Sequence, residues 1–210
     1  MRAVIFDLDG TLIDAAPDLA AKLNQLLATE GLAPLPLAAV KTMIGDGPGV
    51  LVQRGFAAHG RQMRPEHLEL FLALYPQDPV RYTVVYDGII PALEQLKAQG
   101  RKLGVCTNKP EAATHAVLAA MQLTSFFEAV VAGDSTPYRK PDARHLALTM
   151  GALDVTDAIM VGDHANDMKV AADLALPSIF CAWGYGQAVG DALASTPWEL
   201  PEIISRLEAL

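Results

Sequence analysis

Four aspartates in two tight groups carry the reactive potential of this chain. Asp7 and Asp9 stand two apart in Phe6-Asp7-Leu8-Asp9-Gly10-Thr11, and Asp163 and Asp167 stand four apart in Gly162-Asp163-His164-Ala165-Asn166-Asp167. Each group directly follows an apolar run of strand length, Ala3–Phe6 and Ala158–Val161. If those strands are neighbours, the carboxylates crowd one small space. Two like charges about 4 Å apart repel by roughly 4 kcal/mol at an effective dielectric near 20. Either a cation relieves that repulsion or the pKa values rise. Oxygen ligands favour a hard ion over zinc. One or two carboxylates plus a substrate phosphate and water suit Mg2+ better than a calcium cage. A single aspartate after a strand is commonly a helix cap or a turn residue; four of them at two strand ends ask for another explanation.

The elements that would position them can be read from periodicity. Further apolar runs occur at Lys102–Cys106, Glu128–Ala132 and Ser178–Ala182. They are apolar throughout rather than alternating, as in a parallel sheet covered on both faces. Helical spacing lies between them: Ala112, Ala113, Ala116, Val117 and Ala120; Leu146, Ala147 and Met150; Met168, Ala171, Ala172 and Ala175. This alternation predicts an α/β chain with a doubly wound parallel sheet. Ligands of such sheets bind beyond the carboxyl ends of the strands. That rule adds Thr107-Asn108-Lys109, Gly133-Asp134 and Trp183-Gly184-Tyr185-Gly186 to the residues of interest.

One interval breaks the rhythm. Asp7 to Cys106 is 99 residues, whereas a strand–helix–strand unit takes roughly 30. The excess shows helical patterns (Leu19, Leu23, Leu26, Leu27; Val50, Leu51, Arg54; Leu68, Phe71, Leu72) punctuated by Gly31, Pro34, Pro36, Gly45, Gly47, Pro48, Gly49 and Pro65. Its one strand-like run is Thr83–Tyr86. The expectation is a small all-helical domain, residues 15–82, inserted after the first strand of a core made of 1–14 and 83–210. A helix Ile89–Gln99, stopped by Gly100, resumes the core.

Composition narrows the function. Apolar residues make up 51% and charged ones 19%, which excludes a disordered chain. A net charge of −8 opposes nucleic acid and anionic membrane partners. No apolar run is long enough to span a bilayer, and the first residues lack the pattern of a signal peptide. Cys106 and Cys181 lie in apolar runs and read as reduced core thiols. Together these features predict a cytoplasmic protein acting on a small molecule, as a monomer or homodimer. Neither thiol begins a Cys-x5-Arg phosphatase loop, because Ala112 and Gln187 stand where the arginine would be.

The motifs themselves resemble a known family. Val4-Ile5-Phe6-Asp7-Leu8-Asp9-Gly10-Thr11-Leu12-Ile13-Asp14 is similar to the first signature of the haloacid dehalogenase superfamily. Thr107 in Cys-Thr-Asn-Lys resembles its second motif, Lys140 in Arg139-Lys140-Pro141-Asp142 the third, and Val161–Asp167 the fourth, in the family's order. The resemblance implies a Rossmann-like core and covalent phosphoryl transfer. Asp7 would be the nucleophile that forms an aspartyl-phosphate, and Asp9 the general acid and then base. Mg2+ would be held by Asp7, the backbone carbonyl of Asp9 and Asp163, with Asp167 holding the metal's waters from behind. Thr107 and nearby backbone N–H groups, Asn108 included, would bind phosphoryl oxygens. Lys140 would bind there too and neutralise charge on the nucleophile.

Asp9 sorts among branches of the superfamily. Members that cleave carbon–halogen or carbon–phosphorus bonds lack the second aspartate, so its presence favours phosphate esters. The inserted helices resemble the cap of phosphoglycolate phosphatase-like members, most closely over Ile44–Arg54, with Gly45, Gly47 and Arg54 as specificity candidates. The implied activity is Mg-dependent hydrolysis of a phosphate monoester, 2-phosphoglycolate or a sugar phosphate such as N-acetylmuramate 6-phosphate; the alternative is a β-phosphoglucomutase-like phosphomutase. A phosphorylated receiver lacks the helical insertion, and a non-catalytic binder has no need of the full residue set. Three departures from the family pattern stand out. His164 replaces the usual Ser or Thr and reads as a polar neighbour of the ligands. Ala175 replaces a turn glycine, and Asp142-Ala143 stands where a proline is common.

Overall fold

The apolar run Ala3–Phe6 serves two layers at once. Val4 and Phe6 point into one hydrophobic layer and Ala3 and Ile5 into the other. Ile159 and Val161 divide from Ala158 and Met160 in the same way. Alternating side chains that are buried on both faces explain why neither run alternates in polarity. In the computed structural model residues 1–74 and 80–208 are described. Residues 75–79 of the expected insertion and 209–210 of the expected core lie outside them.

The strands are β1 (Ala3–Phe6), β2 (Ile13–Asp14), β3 (Val84–Val85), β4 (Leu103–Cys106), β5 (Ala129–Val131), β6 (Ala158–Gly162), β7 (Ser178–Cys181) and β8 (Ala192–Ala194). Six form one parallel sheet in the order β5-β4-β1-β6-β7-β8. The central β1 is flanked by β4 and β6, so the polar segments after these three strands emerge side by side. The short edge strand β8, apolar at only three positions, was not expected from the sequence.

Among the described residues four helices lie between β2 and β3: α1 (Ala16–Thr29), α2 (Leu37–Lys41), α3 (Pro48–Ala57) and α4 (Pro65–Ala73). Prolines in the first turns of α1, α3 and α4 start these helices where the missing N–H is no loss. Leu19, Leu23, Leu26 and Leu27 bury the inner face of α1 against Leu51, Val52 and Phe56 of α3 and Phe71 of α4. The chain leaves and re-enters the sheet through an antiparallel ribbon in which Ile13 pairs with Val85 and Asp14 with Val84. Asp18 secures the return: its carboxylate accepts from the backbone N–H groups of Arg81, Tyr82 and Thr83 and from the Thr83 hydroxyl.

The rest of the chain is α5 (Ile89–Ala98), α6 (Glu111–Ala120), α7 (Ala143–Ala152), α8 (Ala165–Asp173) and α9 (Leu200–Glu208). Helix α5 ends as expected, with Gly100 at φ +79°. The buried faces of the next three helices differ from the alanine-led reading. They are Ala113, Thr114, Val117 and Leu118 on α6; His145, Leu146, Thr149 and Met150 on α7; and Asp167, Met168, Val170 and Ala171 on α8. Ala112, Ala116, Ala120, Ala147, Ala172 and Ala175 are exposed. Alanine is tolerated on either face, and the polar residues that complete the true faces were invisible to an apolar count.

Candidate active site

The segment after β1 folds back on itself and aims its carboxylates at one spot. The Leu8 carbonyl accepts from the N–H groups of Thr11, Leu12 and Ile13, and Gly10 N–H bonds the Ile13 carbonyl. Gly10 has φ +91°, and a Cβ there would overlap the Asp163 carboxylate. Only glycine satisfies both demands. Asp7, pinned by its N–H to the Val161 carbonyl at 2.9 Å, thereby faces Asp163 across the β1–β6 boundary.

One oxygen each of Asp7, Asp163 and Asp167 lies within 4.8 Å of the others, and all three residues are buried. Asp163 accepts from the Thr11 hydroxyl at 3.0 Å and from Tyr185 N–H at 2.8 Å. Burial, then the charges of Asp7 and Asp167, push its carboxyl up to about 8. Asp167 is likewise raised, by burial first, with Lys140 opposing. Asp167 accepts from Lys140 Nζ at 2.6 Å through one oxygen and from His164 N–H at 3.0 Å through the other. Lys140 Nζ also lies 2.9 Å from Asp7 Oδ1 as an ion pair, yet that oxygen makes no hydrogen bond. Burial alone would push the Lys140 ammonium down, but Asp167 and Asp7 more than offset it, and its pKa is raised.

A cation fits this cluster. The donors are all carboxylate oxygens, one of them lacks a hydrogen bond, and Asp163 is electrostatically under-neutralised. Among the described residues, Asp7, Asp163 and Asp167 form the group that could hold a metal ion. Asp167 was expected only behind the metal; here both its oxygens already have protein partners, one holding Lys140 and one capping α8.

The remaining expected residues divide into two sets. Asp7, Asp9, Thr107, Asn108, Gly45 and Gly47 line one cleft of about 390 Å³, counting its open mouth. Gly45 (φ +120°) passes so close to His164 that a Cβ would lie 2.7 Å from its ring. Arg54 is not among the lining residues: its guanidinium is held by Asp46 at 2.6 Å and by the Met43 carbonyl at 3.0 Å. The Asn108 side chain is engaged by the protein itself. Its amide donates to the carbonyls of Lys140 and Gly45 and accepts from Lys140 N–H. The side chain is therefore a brace, and only its backbone is left for a phosphoryl oxygen.

The departures from the family pattern find local roles. His164 caps α8, accepting from Asn166 N–H, while Asp167 completes the capping box. Asp142 caps α7. Ala175 adopts φ 52° just past α8, the conformation that a glycine would take without cost.

Lys109 was expected at the rim of the sheet without a role of its own, and Asp46 carried no expectation. Lys109 lines the cleft and donates to both oxygens of Asp9 at 3.0 Å. Its signal was its place two residues after Thr107, at a strand end. Burial raises the Asp9 carboxyl, against the opposing pull of Lys109. Asp46 joins Arg54 of α3 to Asn166 of α8, and no spacing rule links those segments.

The chain matches the profile of the haloacid dehalogenase-like hydrolases over residues 4–180. A phosphoglycolate phosphatase of Cereibacter sphaeroides is 39% identical over 218 aligned positions and covers 100% of both chains. One of Rhodospirillum rubrum is 42% identical, covering 89% of this chain and 81% of its own. Among solved structures, a predicted phosphoglycolate phosphatase of Haemophilus somnus superposes with a TM-score of 0.89 at 26% identity, covering 97% of this chain and 98% of that one. Family profile, full-length relatives and a parallel sheet that gathers the acidic motifs at one rim agree: this chain belongs to the haloacid dehalogenase-like hydrolases.

Proposed function

We propose that the protein is a Mg-dependent phosphomonoesterase that works through an aspartyl-phosphate, with 2-phosphoglycolate as its substrate. The observation that carries this reading is the environment of Asp7. Its carboxylate is buried, lines the cleft with Asp9 and Thr107, and is backed by Lys140 at 2.9 Å. The names of the full-length relatives support the choice of ester.

Asp7 attacks phosphorus and the ester oxygen leaves; Asp9 hands that oxygen a proton and later takes one from the water that frees Asp7. Thr107 offers its hydroxyl to a phosphoryl oxygen. Lys140, fixed by Asp167, keeps a positive charge beside the nucleophile as charge shifts onto it. Asp7, Asp163 and the Asp9 carbonyl would hold Mg2+, with Asp167 behind, and the ion would draw charge from the phosphoryl oxygens. Residues 15–82 act as a cap: Leu19, Ile44, Pro48 and Leu51 bring an apolar wall to the cleft and exclude water. The absence of any helix among the described residues long and apolar enough to cross a membrane, together with the buried free thiols Cys106 and Cys181, supports a cytoplasmic setting.

A phosphate-release screen over 2-phosphoglycolate, N-acetylmuramate 6-phosphate and other small acid and sugar phosphates, with and without Mg2+, tests the proposal. Preferred release from 2-phosphoglycolate, dependent on Mg2+, is the expected result. Isomerisation of a sugar phosphate without phosphate release would overturn it in favour of a mutase.

A further inference from the structure

Building on that reading, we propose that Lys109 is the specificity residue of the cleft: it grips the carboxylate of the substrate, and in doing so lets go of Asp9. A phosphate ester that also carries a carboxylate needs a cation facing the cleft. Among the described lining residues Lys109 is the only cation. The other nearby positive charges are committed elsewhere. Lys140 is wedged between Asp7 and Asp167, and Arg54 is held by Asp46 and the Met43 carbonyl.

The position of Lys109 ties it to both ends of such a substrate. Its backbone N–H donates to the Thr107 hydroxyl oxygen at 3.3 Å, so the ammonium is tethered next to the group expected to hold phosphate. Nζ meets both oxygens of Asp9 at 3.0 Å, in a pair whose side chains are only 6% and 14% exposed. A carboxylate gripped symmetrically at both oxygens points at its lysine rather than at a leaving group. An ammonium on a four-carbon stem has three donors and can turn without moving the backbone. Replacing the Asp9 carboxylate by that of the substrate keeps one negative partner on Lys109, so its ammonium is never left unpaired. Asp9 is then released toward the ester oxygen. An ester without a carboxylate has no second anion to offer Lys109, and Asp9 stays bound. Recognition and readiness for proton transfer thus share one side chain.

The test compares 2-phosphoglycolate with 2-hydroxyethyl phosphate, which keeps the skeleton but lacks the carboxylate, in the wild type, Lys109→Met and Lys109→Arg. The wild type is expected to favour 2-phosphoglycolate in kcat/KM by about 100-fold, the scale of one hydrogen-bonded charge pair. Lys109→Met should collapse the preference to within a few-fold and raise KM for 2-phosphoglycolate. Lys109→Arg, which keeps the charge, should retain part of it. Calorimetric binding of both esters to Asp7→Asn, with and without Lys109→Met, reads the same discrimination without turnover. A wild-type preference that survives Lys109→Met overturns this inference alone, even if both rates fall together as a pure positioning role for Asp9 would require. Equal wild-type rates on the two esters overturn the substrate reading and this inference at once.

Discussion

The two ends of β1, β4 and β6 both carry clustered charge, and they treat it in opposite ways. At the amino ends, Arg2, Arg101 and Asp157 precede the three strands, and the two arginines meet Glu208 at the end of α9. Arg101 forks onto both Glu208 oxygens at 2.7 and 2.8 Å, Arg2 N–H reaches Glu208 at 2.6 Å, and Arg2 Nε bonds Asp157 at 2.8 Å. Charges balance there, and hydrogen bonding from Arg101 draws the Glu208 carboxyl down to about 2. At the carboxyl ends, Asp7, Asp9, Asp163 and Asp167 face two lysines, and Asp163 is pushed up to about 8. A balanced network ties the last helix to the sheet. An unbalanced one stores repulsion that folding does not need, and such surplus marks a site prepared for a cation and a substrate.

Substitutions at the two ends should therefore separate activity from stability. The largest effect is expected from Asp7→Asn. Turnover should fall by about 10⁴-fold or more, while the melting temperature holds or rises, because one of the crowded charges is gone. Undiminished phosphate release would dismiss Asp7 as nucleophile. Lys140→Met comes next: it strands buried carboxylates, so urea unfolding should show a loss of about 3–5 kcal/mol. A variant as stable as the wild type would mean that Asp7 and Asp167 do not depend on that ammonium.

The pH dependence should have opposite signs at the two ends. Asp163 in the folded chain holds a proton that the unfolded chain has released between its ordinary pKa of 3.8 and about 8. Metal-free stability contributed by this group therefore falls as pH rises through that window. Mg2+ should raise the melting temperature more at pH 8 than at pH 5, and chelation should reverse the gain; equal shifts at both pH values would contradict the unbalanced cluster. Glu208 behaves conversely. Its contribution is complete above the ordinary 4.5 and is lost as pH falls toward about 2. Glu208→Gln should cost about 1 kcal/mol at neutral pH, the upper end for an ion pair with one partly exposed partner. Activity should be untouched, and the deficit should vanish near pH 2. A deficit that persisted in acid would have to come from packing rather than charge.

Much of this architecture was legible because strands and motifs are local. The runs ending at Phe6, Cys106 and Val161 announced a buried parallel sheet, and the residues following them lie at its rim. Less was legible where a residue's role depends on distant partners. The buried faces of α6, α7 and α8 were read only in part: Ala113, Val117, Leu146, Met150, Met168 and Ala171 are buried as expected, but Thr114, His145, Thr149 and Asp167 complete the faces. Arg54 looked like a free cation on a helix, yet Asp46 had claimed it. Asn108 was expected to offer its backbone N–H, and nothing local showed that its amide braces Lys140 and Gly45.

From the linear chain alone came the fold class, the family resemblance and the set of reactive residues, since apolar periodicity and short motifs survive without knowledge of the third dimension. Packing alone decided which charges are matched and which are left over. A lysine in a loop carries the same charge in the sequence whether it lies between Asp7 and Asp167, as Lys140 does, or holds Asp9, as Lys109 does. Coulomb energy depends on the distance between atoms and on their burial, and residues far apart in number acquire both only when the chain closes on itself.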